Sequence, residues 1–292
     1  MSYSAAHQSE LQDMTMVVAH RQESGRGQRG NSWESEPGRN LTVTLFHRPE
    51  ETVPESAMPP QGEETAPESA MPPQGEETVS ESAMPPQGEG TVSESAMPPQ
   101  ELAVSSAGRV QHARLSLAER QFRISMATAL GVADTLGRFG IPAMVKWAND
   151  VYIGDRKACG ILIEHTVMGS RIENSRIGIG LNVNQTVFLS DAPNPVSMCQ
   201  AAGHEFELAM VLETLSACLE TRLRQPFGQI YADFRKSLWR HDGAFHTFRM
   251  RQGDREHFEA CIRDVRSDGP LVLVTPQGDE RSFYFKEIEF IL

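Results

Sequence analysis

The spacing of apolar residues predicts two helical regions. Between Ser116 and Phe139 the apolar side chains recur every three or four positions. Ser116 and Glu119 match a capping box, in which each side chain accepts a hydrogen bond from the other residue's backbone N–H. We therefore predict a helix over 116–139. Residues 207–240 show the same spacing, with a break predicted at Pro226 because proline cannot continue a helix.

Shorter runs of alternating apolar and polar residues predict strands. Two of them, 16–19 and 40–46, precede the first helix. The strands predicted after it are 144–147, 151–153, 160–165 and 176–183. Residues 245–292 contain several more short strands, separated by turn sequences such as Ser267-Asp268-Gly269. The pattern predicts an α/β or α+β fold, a mixed β-sheet with packed helices, followed by a small β domain over 243–292.

Residues 50–113 interrupt this pattern with an internal repeat. The sequence Glu-Ser-Ala-Met-Pro-Pro-Gln begins at Glu55, Glu68, Glu81 and Glu94, a period of thirteen residues. Each unit has too little apolar surface to offset the entropy of ordering it, and its two prolines block helices and sheet ladders. We predict a disordered acidic insert, which is either a tandem duplication tolerated in a surface loop or an interaction tail bound by a partner.

The negative charge of the chain belongs mainly to this insert. The formal net charge is −12, but residues 50–101 hold twelve glutamates and no aspartate, lysine or arginine, so the other residues carry 27 acidic and 27 basic side chains. Because the residues outside the insert carry equal numbers of acidic and basic side chains, we do not expect the protein to bind nucleic acid through a general basic surface. The four cysteines are widely spaced, and no segment resembles a signal peptide or a membrane span. We therefore expect a cytoplasmic protein with free thiols.

Four segments carry candidate chemistry. In the first, glycines that bring backbone N–H groups close to a ligand alternate with two guanidinium groups that match phosphate or carboxylate oxygens. It reads Gly25-Arg26-Gly27-Gln28-Arg29-Gly30-Asn31-Ser32-Trp33. The others are Lys146-Trp147-Ala148-Asn149-Asp150, Lys157-Ala158-Cys159-Gly160-Ile161-Leu162-Ile163-Glu164 and Ile177-Gly178-Ile179-Gly180-Leu181-Asn182-Val183-Asn184. We expect the first segment to bind an anion between two strands.

In this order and spacing the four segments resemble the catalytic domain of biotin–protein ligases, whose usual patterns are GRGRxG…W, KWPND, KxxGIL and GxGxN. The resemblance covers roughly residues 14–49 and 114–292. It implies a ligase domain like that of class II aminoacyl-tRNA synthetases, formed by 1–49 and 114–242, and an SH3-like β-barrel at the C-terminal end. Ala148 stands where the family usually has proline, and Gln28 where it often has arginine.

The function implied by the resemblance is ATP-dependent biotinylation of a carrier-protein lysine through a biotinoyl-5'-adenylate. A free carboxylate is a poor acyl donor, so it must attack the α-phosphorus of ATP, with loss of pyrophosphate, before an amine can accept the acyl group. The protein mainly positions the reactants and stabilises charge. By the resemblance, Lys157 and Arg26 are the catalytic residues that hold the carboxylate and the α-phosphate together.

The other site residues are also implied by the resemblance. Those expected at biotin are Gln22, Gly25, Arg26, Gln28, Lys157 and Gly160. Those expected at ATP, which brings Mg²⁺ with it, are Arg29, Trp33, Lys146, Asn149, Asp150 and Asn182. Simpler explanations stay open for several of them. Asn149-Asp150 also suits a turn after a strand, Trp33 suits a buried core, and the lysines and arginines suit a solvated surface. No separate metal site is expected.

This activity requires a biotin carboxyl carrier protein, or the carrier domain of a biotin-dependent carboxylase, as partner. We expect no membrane contact and no DNA binding, because no helix-turn-helix pattern precedes the ligase segments; a homodimer is left open. The Ser-Thr-Asn turn that binds the biotin ureido group in family members has no counterpart at Ser2, Ser4 or Ser9. Two other hypotheses stay open: a catalytically impaired paralogue or truncated product that binds nucleotide or a protein partner, and a lipoate or octanoyl transferase.

Overall fold

The computed structural model describes residues 11–20, 33–49, 115–190, 194–253 and 255–292. All of these residues belong to one compact unit. The predicted acidic insert at 50–113 lies outside the described residues, so its disorder stays a prediction.

Six strands form the first sheet, and their order across it is β1-β2-β6-β5-β4-β3. They are β1 (Thr15–Val18), β2 (Leu41–His47), β3 (Met144–Lys146), β4 (Asp150–Ile153), β5 (Arg156–Met168) and β6 (Arg171–Leu181). Each ladder between them is antiparallel. We expected a mixed sheet, but among the described residues parallel pairing is confined to two isolated bridges, Val145–Leu238 and Lys157–Pro195.

The described residues form four helices, of which the longest packs on this sheet. They are α1 (Leu117–Arg138), α2 (Met198–Ala202), α3 (Leu208–Arg224) and α4 (Phe227–Lys236). The predicted capping box is confirmed: Glu119 N donates to Ser116 Oγ at 3.2 Å, and Ser116 N donates to Glu119 Oε2 at 2.8 Å. The predicted break is also confirmed, because Pro226 is the N-cap of α4 and separates it from α3.

The main core lies where α1 covers strands β3 to β6 and packs against α3 and α4. Ile124, Met126 and Leu130 of α1 are fully buried in one cluster with Ile177 and Ile179 of β6. Full burial of each such side chain contributes about 1.5–3 kcal/mol. This core holds β4, β5 and β6 rigidly, and the candidate site lies at one end of these strands.

A second sheet follows, with its strands in the order β10-β9-β8-β7-β11. They are β7 (His246–Met250), β8 (His257–Val265), β9 (Leu271–Val274), β10 (Glu280–Phe283) and β11 (Ile288–Phe290). Several side chains connect this sheet to the first part of the chain. For example, Trp147 Nε1 donates to Gly269 O at 2.9 Å, and the Tyr231 hydroxyl donates to Val265 O at 2.5 Å. The predicted α+β class with a small β unit after the helices is confirmed. The exact domain boundaries stay predictions.

Two further expectations concern the cysteines and membrane contact. Cys159, Cys199 and Cys218 are buried, Cys261 is partly buried, and all four are free thiols. No helix among the described residues combines the length and the apolar character needed to cross a bilayer.

Candidate active site

A lysine–aspartate pair lies at the centre of the candidate site. Asp150 begins β4 and Lys157 is the second residue of β5, and the turn at Gly154-Asp155 between these strands brings them together. Lys157 Nζ lies 2.7 Å from Asp150 Oδ1, and the two side chains are 25% and 24% exposed. The ammonium group is therefore fixed in position by a carboxylate while solvent or a ligand can still reach it.

Lys146 places a second ammonium group beside this pair. It ends β3 directly across from Asp150 in the ladder, and its Nζ lies 5.2 Å from the ring centroids of both Tyr152 and Phe290. Burial lowers the pKa of Lys146; the nearby Asp150 opposes this effect, and the positive charge of Lys157 adds to it. An ammonium group that has lost much of its water gains more from an arriving anion than an exposed one does.

Trp33 lies on a glycine surface next to Lys157. Gly160 and Gly180 are opposite each other in the β5–β6 ladder. A Cβ atom at Gly160 would lie 3.0 Å from Trp33 Cζ3, and one at Gly180 would lie 2.6 Å from Trp33 Nε1. Lys157 Nζ is 5.9 Å from the centroid of the indole ring. The two glycines therefore make room for an aromatic ring that covers the sheet beside the lysine–aspartate pair.

Two asparagines at the edge of this cluster make structural contacts. Asn149 Nδ2 donates to Ile161 O at 2.6 Å, which attaches the turn between β3 and β4 to β5. Asn182 follows β6, is 2% exposed and donates from Nδ2 to Val196 O at 3.2 Å. Its Oδ1 is buried and has no hydrogen-bond partner among the described residues. The contact of Asn149 agrees with the turn explanation, whereas the unsatisfied oxygen of Asn182 is one that a ligand N–H or hydroxyl could satisfy.

The structure thus brings together Trp33, Lys146, Asp150, Lys157 and Gly160 from the predicted site residues. The predicted residues of the glycine- and arginine-rich segment, Gln22, Gly25, Arg26, Gln28 and Arg29, lie outside the described residues. Within the described ranges, no group of three or more His, Cys, Asp or Glu side chains is placed to hold a metal ion.

The sequence motifs did not indicate the side chains that join Trp33 to the loop after β6. Glu34 accepts hydrogen bonds from the backbone N–H groups of Leu189 and Ser190 and from the amide of Gln185. The Gln185 Oε1 atom in turn accepts from Asn40 Nδ2 at 2.5 Å. These partners are about 150 residues apart in the sequence, so no local pattern could have revealed them.

A family model described as the biotin/lipoate A/B protein ligase family matches residues 2–61 and 97–182, half of the chain. The bifunctional ligase/repressor BirA of Bacillus subtilis is 25% identical over 282 residues, which cover 94% of this chain and 66% of that protein. The chain therefore spans just under two thirds of the length of that relative. A biotin–[acetyl-CoA-carboxylase] ligase of Paracoccus denitrificans is 31% identical over 101 residues, 32% of this chain and 42% of that protein.

A solved structure also resembles this one. The biotin protein ligase from Aquifex aeolicus, in complex with biotin and ATP, superimposes with a TM-score of 0.60 at 17% sequence identity. The match covers 96% of this chain and 89% of that chain. At this identity the likeness shows the fold, and it agrees with the fold predicted from the four sequence segments.

Proposed function

Because the chain belongs to the biotin/lipoate A/B protein ligase family, we propose that it is a biotin–protein ligase that uses ATP to attach biotin to a lysine of a carrier protein. The observation that carries the proposal is the arrangement of Lys157, Asp150 and Lys146 beside an indole that lies on two glycines. Two ammonium groups at one end of a rigid sheet suit a reaction between a carboxylate and a triphosphate, which are both anions.

The reaction needs two steps. A carboxylate oxygen of biotin attacks the α-phosphorus of ATP, so that an O–P bond forms and pyrophosphate leaves with the bonding electrons. The carrier lysine amine then attacks the acyl carbon, AMP leaves, and the amine loses a proton. Each step requires correct placement of the reactants and compensation of negative charge, which fixed cations in a site of low polarity supply.

In the proposed site, the ammonium group of Lys157 lies between the biotin carboxylate and the α-phosphate. Asp150 keeps it in that position through the 2.7 Å contact. Lys146 neutralises phosphate charge, and its low hydration strengthens that interaction. From the sequence segments we assign Arg26 as a second catalytic cation, Arg29 to the phosphates, and Gln22, Gly25 and Gln28 to biotin.

Trp33, Gly160 and the two asparagines complete the proposed site. Gly160, which we assign to biotin, leaves room for the indole of Trp33 beside β5. We assign to that indole the exclusion of water from the acyl-adenylate, which water would hydrolyse. We assign Asn149 and Asn182 to the nucleotide, Asn182 through its unsatisfied Oδ1. Mg²⁺ that arrives with ATP usually binds one or two carboxylates together with phosphate oxygens, and Asp150 offers one such carboxylate.

The carrier protein, the compartment and the domain organisation belong to the same proposal. The name of the Paracoccus relative supports a carrier domain of a biotin-dependent carboxylase as the protein substrate. We further propose that the ligase works in the cytoplasm without contacting DNA or membranes, as a monomer or homodimer. Residues 1–49 and 114–242 form its catalytic domain, and 243–292 form its small β domain.

Calorimetric titration with biotin, with and without ATP and Mg²⁺, tests the proposal when mass spectrometry for biotinoyl-5'-adenylate follows. We expect tighter binding with ATP, formation of the adenylate, and transfer of biotin to a purified carrier domain. Lipoate and octanoate in the same assay test the transferase alternative. A matched pair of variants, Lys157→Met at the site and Lys236→Met on the exposed end of α4, separates loss of a site cation from a general loss of charge. A folded protein that binds no biotin would overturn the proposal in favour of an impaired paralogue.

A further inference from the structure

Glu34 lies directly after Trp33 and uses both carboxylate oxygens to hold another part of the chain. Its Oε1 accepts from Gln185 Nε2 and Leu189 N, each at 3.0 Å. Its Oε2 accepts from Leu189 N at 3.0 Å and from Ser190 N at 2.7 Å. Three separate N–H donors of the segment 185–190 therefore converge on one side chain.

Residues on both sides of the segment 185–190 contact the candidate site. It follows Asn182, the buried asparagine with the unsatisfied oxygen. Further along, the backbone of Asn194 and Val196 binds that of Lys157: Lys157 N donates to Asn194 O at 2.8 Å, and Val196 N donates to Lys157 O at 2.9 Å. Glu34 thus attaches this part of the chain to the backbone next to Trp33, whose indole lies at the site.

The other attachments of the segment are also made by side-chain amides: Gln200 Nε2 donates to Thr186 O at 2.9 Å, and Gln185 Nε2 donates to Val187 O at 2.8 Å. Val187 and Leu189 are 63% and 86% exposed, so their apolar side chains do not anchor it in the core. Gln185 adds to the hydrogen bonds of Glu34, because its Oε1 also accepts from Glu36 N at 2.9 Å. The position of residues 187–190 therefore depends largely on side-chain hydrogen bonds rather than on a β ladder or a buried side chain.

The negative charge of Glu34 matches the three N–H donors that its carboxylate accepts. Although partial burial alone would raise it, the pKa of Glu34 is below its usual value because Leu189, Ser190 and Gln185 donate hydrogen bonds to the carboxylate. A glutamine at this position would have one acceptor oxygen in place of two, and its NH₂ group would face N–H donors that need an acceptor. Glutamine would have nearly the same shape and still lose part of the attachment.

We propose that Glu34 is a positioning residue for the ligase reaction, which holds residues 185–190 next to Trp33 so that the acyl-adenylate is retained between its formation and its transfer. The inference rests on the proposed function. The acyl-adenylate is a reactive mixed anhydride, and its release into water would waste ATP. We expect retention of the acyl-adenylate to require that residues 185–190 keep a fixed position relative to the indole of Trp33.

The test compares Glu34→Gln with Glu36→Gln, an identical change at an exposed residue two positions away. Adenylate is formed from biotin and ATP, excess substrate is removed, and the rate at which adenylate leaves the protein is measured. We expect at least about tenfold faster release from Glu34→Gln, the effect of losing one or two charge-assisted hydrogen bonds. The rate constant of adenylate formation at saturating substrate should change less than about threefold. Glu34→Asp, which keeps the charge, should lie between Glu34→Gln and the unchanged protein.

A second readout does not depend on activity. Amide hydrogen exchange at Leu189 and Ser190, whose N–H groups Glu34 accepts, should be about tenfold faster in Glu34→Gln and unchanged in Glu36→Gln. If exchange accelerates while adenylate release does not, the hydrogen bonds exist but the positioning role is overturned. If both variants release adenylate equally fast, the role is also overturned. If the unchanged protein forms no adenylate, the proposed function fails first, and the inference fails with it.

Discussion

The β5–β6 ladder uses the same kinds of side chain for different purposes at its site end, around Gly160 and Gly180, and in its remaining part from Ile163 and Ile177 onward, which we call the far end. At one end Lys157 pairs with Asp150 at 2.7 Å, and Lys146 adds a second positive charge on an ammonium group whose pKa is lowered by burial and further by the charge of Lys157. At the other end Arg176 pairs with Glu164 at 3.3 Å across the same two strands. The site end accumulates like charge, which is unfavourable until an anion binds, whereas the far end balances its charge within the sheet. Such an imbalance is typical of functional sites.

The apolar positions show the same difference. At the far end Ile163 and Ile177 are cross-strand partners, a pairing that stabilises a sheet. At the site end the corresponding partners are Gly160 and Gly180, which offer no side chain to pack. The glycine pair makes room for Trp33 and thus gives up cross-strand side-chain packing.

The largest expected effect comes from removing the central cation. Lys157→Met keeps the length of the side chain and removes its charge, so we expect adenylate formation to fall by about 10²- to 10³-fold, as when a group that stabilises transition-state charge is lost. The measurement is single-turnover adenylate formation at saturating biotin and ATP.

The control for Lys157→Met lies at the other end of the same ladder. Arg176→Met also removes a positive charge from an ion pair, and we expect it to lower stability while leaving the rate of adenylate formation per folded molecule within about threefold. Equal losses of rate in both variants would show that the two ends do not differ in function.

The next effect comes from the glycine pair. In Gly180→Ala the new Cβ atom would lie 2.6 Å from Trp33 Nε1, so the indole must move, whereas in Gly160→Ala it would lie 3.0 Å from Trp33 Cζ3. We expect Gly180→Ala to reduce adenylate formation about tenfold or more and Gly160→Ala to reduce it less. Overpacking of this kind also lowers the free energy of unfolding by about 1–3 kcal/mol.

Substitution of a third glycine is the control for a general effect of replacing glycine by alanine. Gly137 lies in α1, and a Cβ atom there would meet nothing within 4 Å. Gly137→Ala should leave activity unchanged and slightly raise helix stability.

Combining Gly180→Ala with Trp33→Ala should add little to the loss caused by Trp33→Ala alone, and full additivity would contradict the contact between Gly180 and the indole.

A smaller effect concerns the pH dependence of the far end. Burial lowers the pKa of His165 to about 4, and the nearby His47 adds to the shift. The folded pKa is below the unfolded value of about 6.5, so the unfolded chain takes up the proton first as pH falls. The contribution of neutral His165 is present in full above about pH 6.5 and is lost as pH falls towards 4. With allowance for partial solvent exposure, we expect a loss of about 1 kcal/mol between pH 7 and pH 5.

Chemical denaturation at both pH values measures this loss. In His165→Asn the difference between the two pH values should shrink by about 1 kcal/mol. His257→Asn, at an exposed histidine of β8, should keep the difference of the unchanged protein. An unchanged pH dependence in His165→Asn would show that other groups, such as the neighbouring His47 and Asp13, determine it.

Local signals in the sequence predicted much of the fold. Ser116 and Glu119 lie three residues apart, so their capping box could be read directly, and Pro226 marked the gap between α3 and α4. The four motif segments likewise predicted that Trp33, Lys146, Asp150 and Lys157 belong to one site.

Contacts between distant segments could not be predicted in this way. Lys146 lies beside Phe290 of the second sheet, and Glu34 binds Leu189, because the tertiary fold brings these segments together. Neither Phe290 nor Glu34 belongs to a motif, and nothing in their local sequence distinguishes them from other residues of the same type. Sequence patterns indicated the charged residues that we propose bind the substrates, but not the residues that hold them in place.

The smallest effect completes the comparison of the two ion pairs. Glu164 is 49% exposed, so its bond to Arg176 is largely screened by water, and Glu164→Gln should lower the free energy of unfolding by about 0.2–1 kcal/mol with no change in adenylate formation. The stability difference should decrease further at high salt, since exposed charges are screened within about 10 Å at 0.1 M. Asp150→Asn at the other pair should instead change activity more than stability, because it frees the Lys157 ammonium group, which we propose contacts the substrates. If Glu164→Gln altered adenylate formation as strongly as Asp150→Asn, the ladder would have to be treated as one coupled charge network rather than as a site end and a structural end.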